Sequence, residues 1–184
     1  MNTTTKNSTD ATIHLVLGSA RSGKSRFAEQ EASKLSNVVS YIATAQMLDG
    51  EMSERIKQHV QDRPAHWLTI EEPLNLAKAV LNASQQYPDQ PILIDCLTLW
   101  VTNCLLHSDE LMWPRQRADL LELLPQLHTP IFLVSNEVGW GIVPMGELSR
   151  RFVDESGRLH QAIAAIAHDV TLLVAGIPMA VKRS

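Results

Sequence analysis

The chain has 184 residues, 45% hydrophobic and 20% charged, with 5% aromatic side chains and a formal net charge of −4. At that length one core buries roughly 70% of the surface of the unfolded chain, so no metal or disulfide staple is required. No run approaches the ~18 consecutive apolar residues of a membrane span, and an acidic balance without a Lys/Arg block argues against nucleic acid as a primary partner.

The first eleven residues, MNTTTKNSTDA, are polar and have no apolar h-region. They read as a disordered leader rather than a secretory signal, leaving residues 12–184 as a single domain. Beyond them, short apolar runs alternate with amphipathic stretches, and no linker or repeat divides the chain. In chain order the expected elements are a strand at 13–17, a helix near 23–35, a strand at 38–43 and a helix near 50–62. A strand at 66–70, a helix near 74–84, a strand at 91–95 and helices near 97–107 and 115–127 follow. The chain closes with a strand at 130–135, a helix near 146–167 and a strand at 170–175. Several strands lack polar alternation, as expected when both faces are covered. This alternation predicts an α/β fold with a mainly parallel sheet and helices on both faces. The last run, 178–182, follows Gly176 after only a tight turn, too short for a crossover helix, and predicts an antiparallel edge strand. Cys96 and Cys104 form no CxxC pair or zinc set. Their spacing suits neighbouring turns of one helix, with buried thiols in a reducing cytoplasm.

The sharpest signal is GSARSGKS, Gly18–Ser25, which fits G-x-x-x-x-G-K-[ST] between an apolar strand and a helix. Glycine freedom lets successive N–H groups of Gly18, Ser19, Ala20, Arg21, Ser22 and Gly23 turn into one anion-sized concavity, and the helix N-terminus adds partial positive charge. Lys24 is expected to reach the β/γ-phosphates, and the Ser25 hydroxyl to hold Mg²⁺. The metal partner expected downstream is Asp95, at the end of PILID; the same carboxylate could instead cap the helix that follows, and both roles could coexist. Asn136 and Glu137 end the strand PIFLVS, where ligands bind in open α/β sheets, although polar turn residues after a strand would look the same.

A phosphate loop alone does not choose among kinase, switch, motor and transporter. No N-K-x-D guanine-reading motif is present, DESG at 154–157 follows no strand, and a motor would need more chain, so small-molecule phosphotransfer is the better default. In EMSERIKQHVQDRPAHW (51–67), Asp49 can cap a helix that puts Arg55 and His59 on one face, with Pro64 marking its end. On those grounds alone His59 would be an ordinary helix-face histidine. The seven histidines give no i, i+4 metal pair, so zinc is not supported.

Together, GSARSGKS, YIATAQ, RIKQHVQDRPAHW, IDCLTLWVTN and VSNEVGWGIVP resemble the bifunctional adenosylcobinamide kinase/adenosylcobinamide-phosphate guanylyltransferases of cobalamin biosynthesis, over nearly the whole chain after the leader. The histidine and SNEVG-x-GIVP segments are far more specific than the phosphate loop. The resemblance implies a RecA-like P-loop NTPase fold, a homotrimer and two reactions. A γ-phosphoryl group passes from ATP or GTP to adenosylcobinamide, and GMP then passes from GTP to adenosylcobinamide phosphate through a covalent GMP–histidine intermediate. In the motif R-I-x-x-H-x-x-x-R-P the nucleophile corresponds to His59, not His66. Nucleotide contacts carry over to Thr44, Ala45, Gln46, Val60, Gln61, Asp62, Arg63, Glu72 and Asp95; Glu72 could equally be a solvated charge beside Glu71.

The chemistry suits the residues. Imidazole, with an ordinary pKa near 6.5, is available neutral as a nucleophile, and a covalent intermediate splits one hard exchange into two. Three positions depart from the family pattern: Ser19 replaces a common second glycine, His160 stands where Asn is common and carries no assigned role, and Asp95 replaces Glu in some members. Two rivals stand beside this reading, a guanylyltransferase without kinase activity and a GTP-binding regulatory module.

Overall fold

The computed structural model describes residues 12–46 and 64–184; the expected leader at 1–11 and the expected helix near 50–62 lie outside the described residues. The chain forms β1 (Ile13–Gly18), α1 (Lys24–Leu35), β2 (Ser40–Ala43) and β3 (Leu68–Glu71). It continues through α2 (Leu76–Gln86), β4 (Ile92–Asp95), α3 (Leu97–Leu105), α4 (Met112–Leu123) and a 3₁₀ turn at Leu124–Gln126. β5 (Ile131–Asn136), α5 (Glu147–Ile166), β6 (Asp169–Val174) and β7 (Ile177–Lys182) complete it.

The strands make one sheet in the order β3-β2-β4-β5-β1-β6-β7. Six are parallel, and β7 alone runs antiparallel, against β6. Side chains alternate across the sheet. Leu15, Ile42, Ile94 and Leu133 enter one core with α2, α3, α4 and α5, while Val16, Tyr41, Leu93 and Val134 enter a second core with α1. Burial on both faces is why these strands read as continuous apolar runs. In α1 the fully buried Ala28 and Ala32, four residues apart, present a small-residue stripe to the sheet. The β6–β7 connection is two residues, Ala175 and Gly176, both at positive φ (51° and 80°), a turn whose twist suits a hairpin.

Differences from the sequence expectation lie at element ends. The helix expected near 115–127 begins at Met112, because Pro114 in its first turn forfeits no intrahelical bond, and it ends in the 3₁₀ turn holding Pro125. α2 starts two residues late because Glu72 Oε1 accepts the N–H groups of Leu74 and Asn75, holding Pro73–Asn75 as a turn. Cys96 is the N-cap residue of α3 rather than part of it; both cysteines are buried as expected. Among the described residues no helix is long and apolar enough to cross a membrane.

Trp100 of α3 is fully buried, its ring meets Trp113 of α4 edge-on at 5.4 Å, and its Nε1–H donates to Leu74 O at 2.8 Å. Trp100→Ala is expected to cost about 3–5 kcal/mol through the cavity and the orphaned carbonyl. Leu35→Ala, at a largely exposed side chain, should stay within about 0.5 kcal/mol. Urea denaturation of both variants checks the contrast.

Candidate active site

Parallel pairing brings the carboxyl ends of β2, β4, β5 and β1 to one edge, with Ala43 opposite Asp95 and Gly18 opposite Asn136. The phosphate loop leaves this edge at Gly18 and enters α1 at Lys24. A Cβ on Gly18 would stand 2.3 Å from Ser22 Oγ and 3.0 Å from Leu173 O, so only glycine lets the loop fold back over its own strand. Gly23 has φ +91°, in the left-handed region that favours glycine, and is the residue from which α1 starts. Arg21, two residues earlier, is also left-handed at φ +58°. Two clamps fix the path from outside it: Glu137 N–H donates to Gly18 O at 3.0 Å, and Gly176 N–H donates to Ser22 O at 2.9 Å.

Lys24 is buried and its Nζ donates to Ser19 O at 3.2 Å, so the ammonium lies across the loop. Burial lowers its pKa, while the Asp95 carboxylate opposes the shift. Ser22 Oγ is buried with no hydrogen-bond partner among the described residues. Ser19, Ala20 and Arg21 are exposed, and Ser25 is half-buried in the first turn of α1.

Asp95 closes β4, and its Oδ2 accepts the Tyr41 hydroxyl at 3.0 Å. Its alternative as a helix cap is not realised, since Cys96 occupies the cap position. The Asp95–Cys96 peptide is cis, and Thr44 locks it: the Thr44 hydroxyl donates to Cys96 O at 2.7 Å and accepts the Cys96 N–H at 2.9 Å. Asn103 Nδ2 then donates to Thr44 O at 2.8 Å and to Pro73 O at 3.1 Å, so one buried amide ties the ends of β2 and β3. Thr98 accepts from Asn136 Nδ2 at 3.1 Å, extending the chain of contacts to β5. Burial first, and then the Asp95 charge, push the Cys96 thiol up to about 11, while burial and then Glu72 push Cys104 up to about 12. Both thiols are therefore neutral packing groups rather than nucleophiles.

Gly18–Ser25, Thr44–Gln46, Glu72 and Asp95 thus share one sheet edge. Glu72 is not merely a solvated charge: its N–H donates to Ala43 O at 2.9 Å and its carboxylate closes the turn into α2. His59, Val60, Gln61, Asp62 and Arg63 lie outside the described residues, and His66 is exposed in the turn before β3. Sequence reasoning missed Asn103, Thr98, Ser135 and His160 at this edge. Only His160 left a trace, four residues after Ser156 on the buried stripe of α5.

The hydroxyl of Ser25 and the carboxylate of Asp95 are hard oxygen donors of the kind Mg²⁺ takes, and a nucleotide-bound Mg²⁺ needs only one or two protein ligands. Parallel pairing of β4 with β5 and of β5 with β1 puts Asp95 at the sheet edge from which the phosphate loop leaves. The residues fit the ion.

Comparison with known proteins agrees with this geometry. A family model described as cobinamide kinase / cobinamide phosphate guanyltransferase matches residues 14–181. A Pseudomonas aeruginosa protein named bifunctional adenosylcobalamin biosynthesis protein CobP is 55% identical over 168 residues, covering 91% of this chain and 96% of the relative. The Escherichia coli bifunctional adenosylcobalamin biosynthesis protein CobU is 40% identical over 181 residues, covering 91% of this chain and 98% of the relative. At the level of fold, the flagellar accessory protein FlaH of Methanocaldococcus jannaschii superposes with a TM-score of 0.53 at 15% identity, over 94% of this chain and 79% of that one. The chain has the P-loop NTPase fold and belongs to the cobinamide kinase / cobinamide phosphate guanyltransferase family, the bifunctional transferases of cobalamin biosynthesis.

Proposed function

We propose that the protein phosphorylates adenosylcobinamide with ATP or GTP and then guanylylates adenosylcobinamide phosphate through a GMP–His59 phosphoramidate, yielding adenosylcobinamide-GDP. It works in the cytoplasm as a homotrimer. One observation carries the reading: a phosphate loop with its lysine buried against Ser19 O, leaving the sheet edge that also holds Asp95, in a chain of this family.

The residues divide the work. The loop amides and Lys24 hold the β- and γ-phosphates, so γ-phosphoryl transfer and pyrophosphate departure draw on the same donors. Ser25 and Asp95 would hold a Mg²⁺ ion, which would neutralise charge on those phosphates. Ala45, Gln46 and Glu72 contact the nucleotide, and Thr44, fully buried with its hydroxyl on Cys96, braces that segment together with Asn103 and the turn into α2. His59 attacks the α-phosphorus of GTP and displaces pyrophosphate. Val60–Arg63 contact the same nucleotide, with Arg63 countering charge that grows on the α-phosphate. The phosphate of adenosylcobinamide phosphate then attacks the phosphoramidate and frees the imidazole.

GTP labelled on its α-phosphate should leave an acid-labile, alkali-stable GMP label on the denatured wild-type protein and none on His59→Ala. Undiminished labelling of that variant would sink the mechanism. Lys24→Ala should depress both activities by about 100-fold or more, since one loop serves both; intact kinase turnover in that variant would refute a shared phosphate site. Sedimentation of the wild-type protein as a monomer would overturn the trimer.

A further inference from the structure

Glu137 opens the connection between β5 and α5, and its N–H bond to Gly18 O places it against the first residue of the phosphate loop. Oε1 accepts the Gly139 N–H at 2.8 Å, whereas Oε2 has no hydrogen-bond partner among the described residues. His160 Nδ1 stands 3.9 Å from Oε2, and His160 Nε2 lies 2.7 Å from Ser135 Oγ, on the strand next to β1. The histidine and serine are buried, while the Glu137 side chain keeps 21% of its surface. Ser135 thus anchors a buried imidazole that packs against a partly exposed carboxylate.

The other carboxylates placed at this edge are engaged elsewhere. Asp95 takes the Tyr41 hydroxyl, and Glu72 closes the turn beyond β3, four places along the sheet from β1. The two reactions also differ in what they ask of a base. An imidazole attacks neutral, and a phosphate monoester attacks already ionised. Only the kinase step uses a hydroxyl, whose proton must leave as its oxygen bonds to phosphorus.

We propose that Glu137 accepts the proton of the attacking hydroxyl in the kinase reaction and that His160, anchored on Ser135, is the positioning residue that holds it there. The inference rests on the kinase reading above. In the step, the hydroxyl oxygen bonds to the γ-phosphorus and the bond from that phosphorus to the β,γ-bridging oxygen breaks. The nucleoside diphosphate leaves with the electron pair, and the proton passes to the Glu137 carboxylate and then to water. Burial lowers the pKa of His160, while the Glu137 charge opposes the shift.

Glu137→Gln preserves an acceptor for the Gly139 N–H and so spares the turn. It is expected to cut the kinase kcat by about 100-fold or more, with KM for ATP and the GMP label on the protein each within about threefold of wild type. His160→Ala should lower kinase kcat by about tenfold, and His160→Asn, whose amide nitrogen takes the place of Nδ1 beside Glu137 but gives up the Ser135 bond, should recover part of it. A Glu137→Gln kinase within about threefold of wild type, or kinase and label lost together, overturns the role of Glu137. Failure of His160→Asn to exceed His160→Ala overturns the role of His160. Wild-type protein that takes the GMP label but does not phosphorylate adenosylcobinamide sinks the kinase reading itself, which separates that failure from the failure of Glu137.

Discussion

The backbone between β1 and α1 must reverse within five residues without side-chain bulk at either end, and the rest of the site is arranged around that reversal. At Gly18 the obstruction is steric, since the Ser22 hydroxyl and the Leu173 carbonyl occupy the space a Cβ needs. At Gly23 it is conformational, since only a left-handed residue starts α1 in this direction. The loop is further held by backbone bonds from Glu137 on one side and Gly176 on the other. The edge hairpin, which buries almost nothing of β7, contributes one of these anchors. A binding concavity for phosphate is therefore a consequence of how three separate chain segments meet.

Across the sheet from the loop, small polar side chains do the bracing. Thr44, Asn103, Thr98 and Asn136 form a buried relay that joins the ends of β2, β3, β4 and β5. Buried polar groups are costly unless paired, and paired ones fix geometry more sharply than apolar packing does. The relay holds in register the ends of the strands that carry Asp95 and the Thr44–Gln46 segment. Two buried oxygens without a partner among the described residues, Ser22 Oγ in the loop and Asn136 Oδ1 at the end of β5, lie where satisfied bonding would otherwise be expected.

Much of the architecture could be read before any coordinates. Fully apolar runs announced strands covered on both faces, and the spacing after Gly176 announced the antiparallel edge, because these depend on local period and connection length. Helix ends were less legible. The late start of α2 depends on a carboxylate at Glu72 folding onto amides two and three residues ahead, and that carboxylate looked like surface charge.

The sequence by itself determined the phosphate loop, the carboxylate at Asp95 and the family, since each resides in contiguous residues with a fixed backbone requirement. Tertiary structure alone decided that Asn103 clamps two strand ends 59 and 30 residues away, and that His160 meets Ser135 across 25 residues. Those partners are chosen by strand order and helix packing, and no local pattern of residue types encodes which buried amide or imidazole will face which strand end.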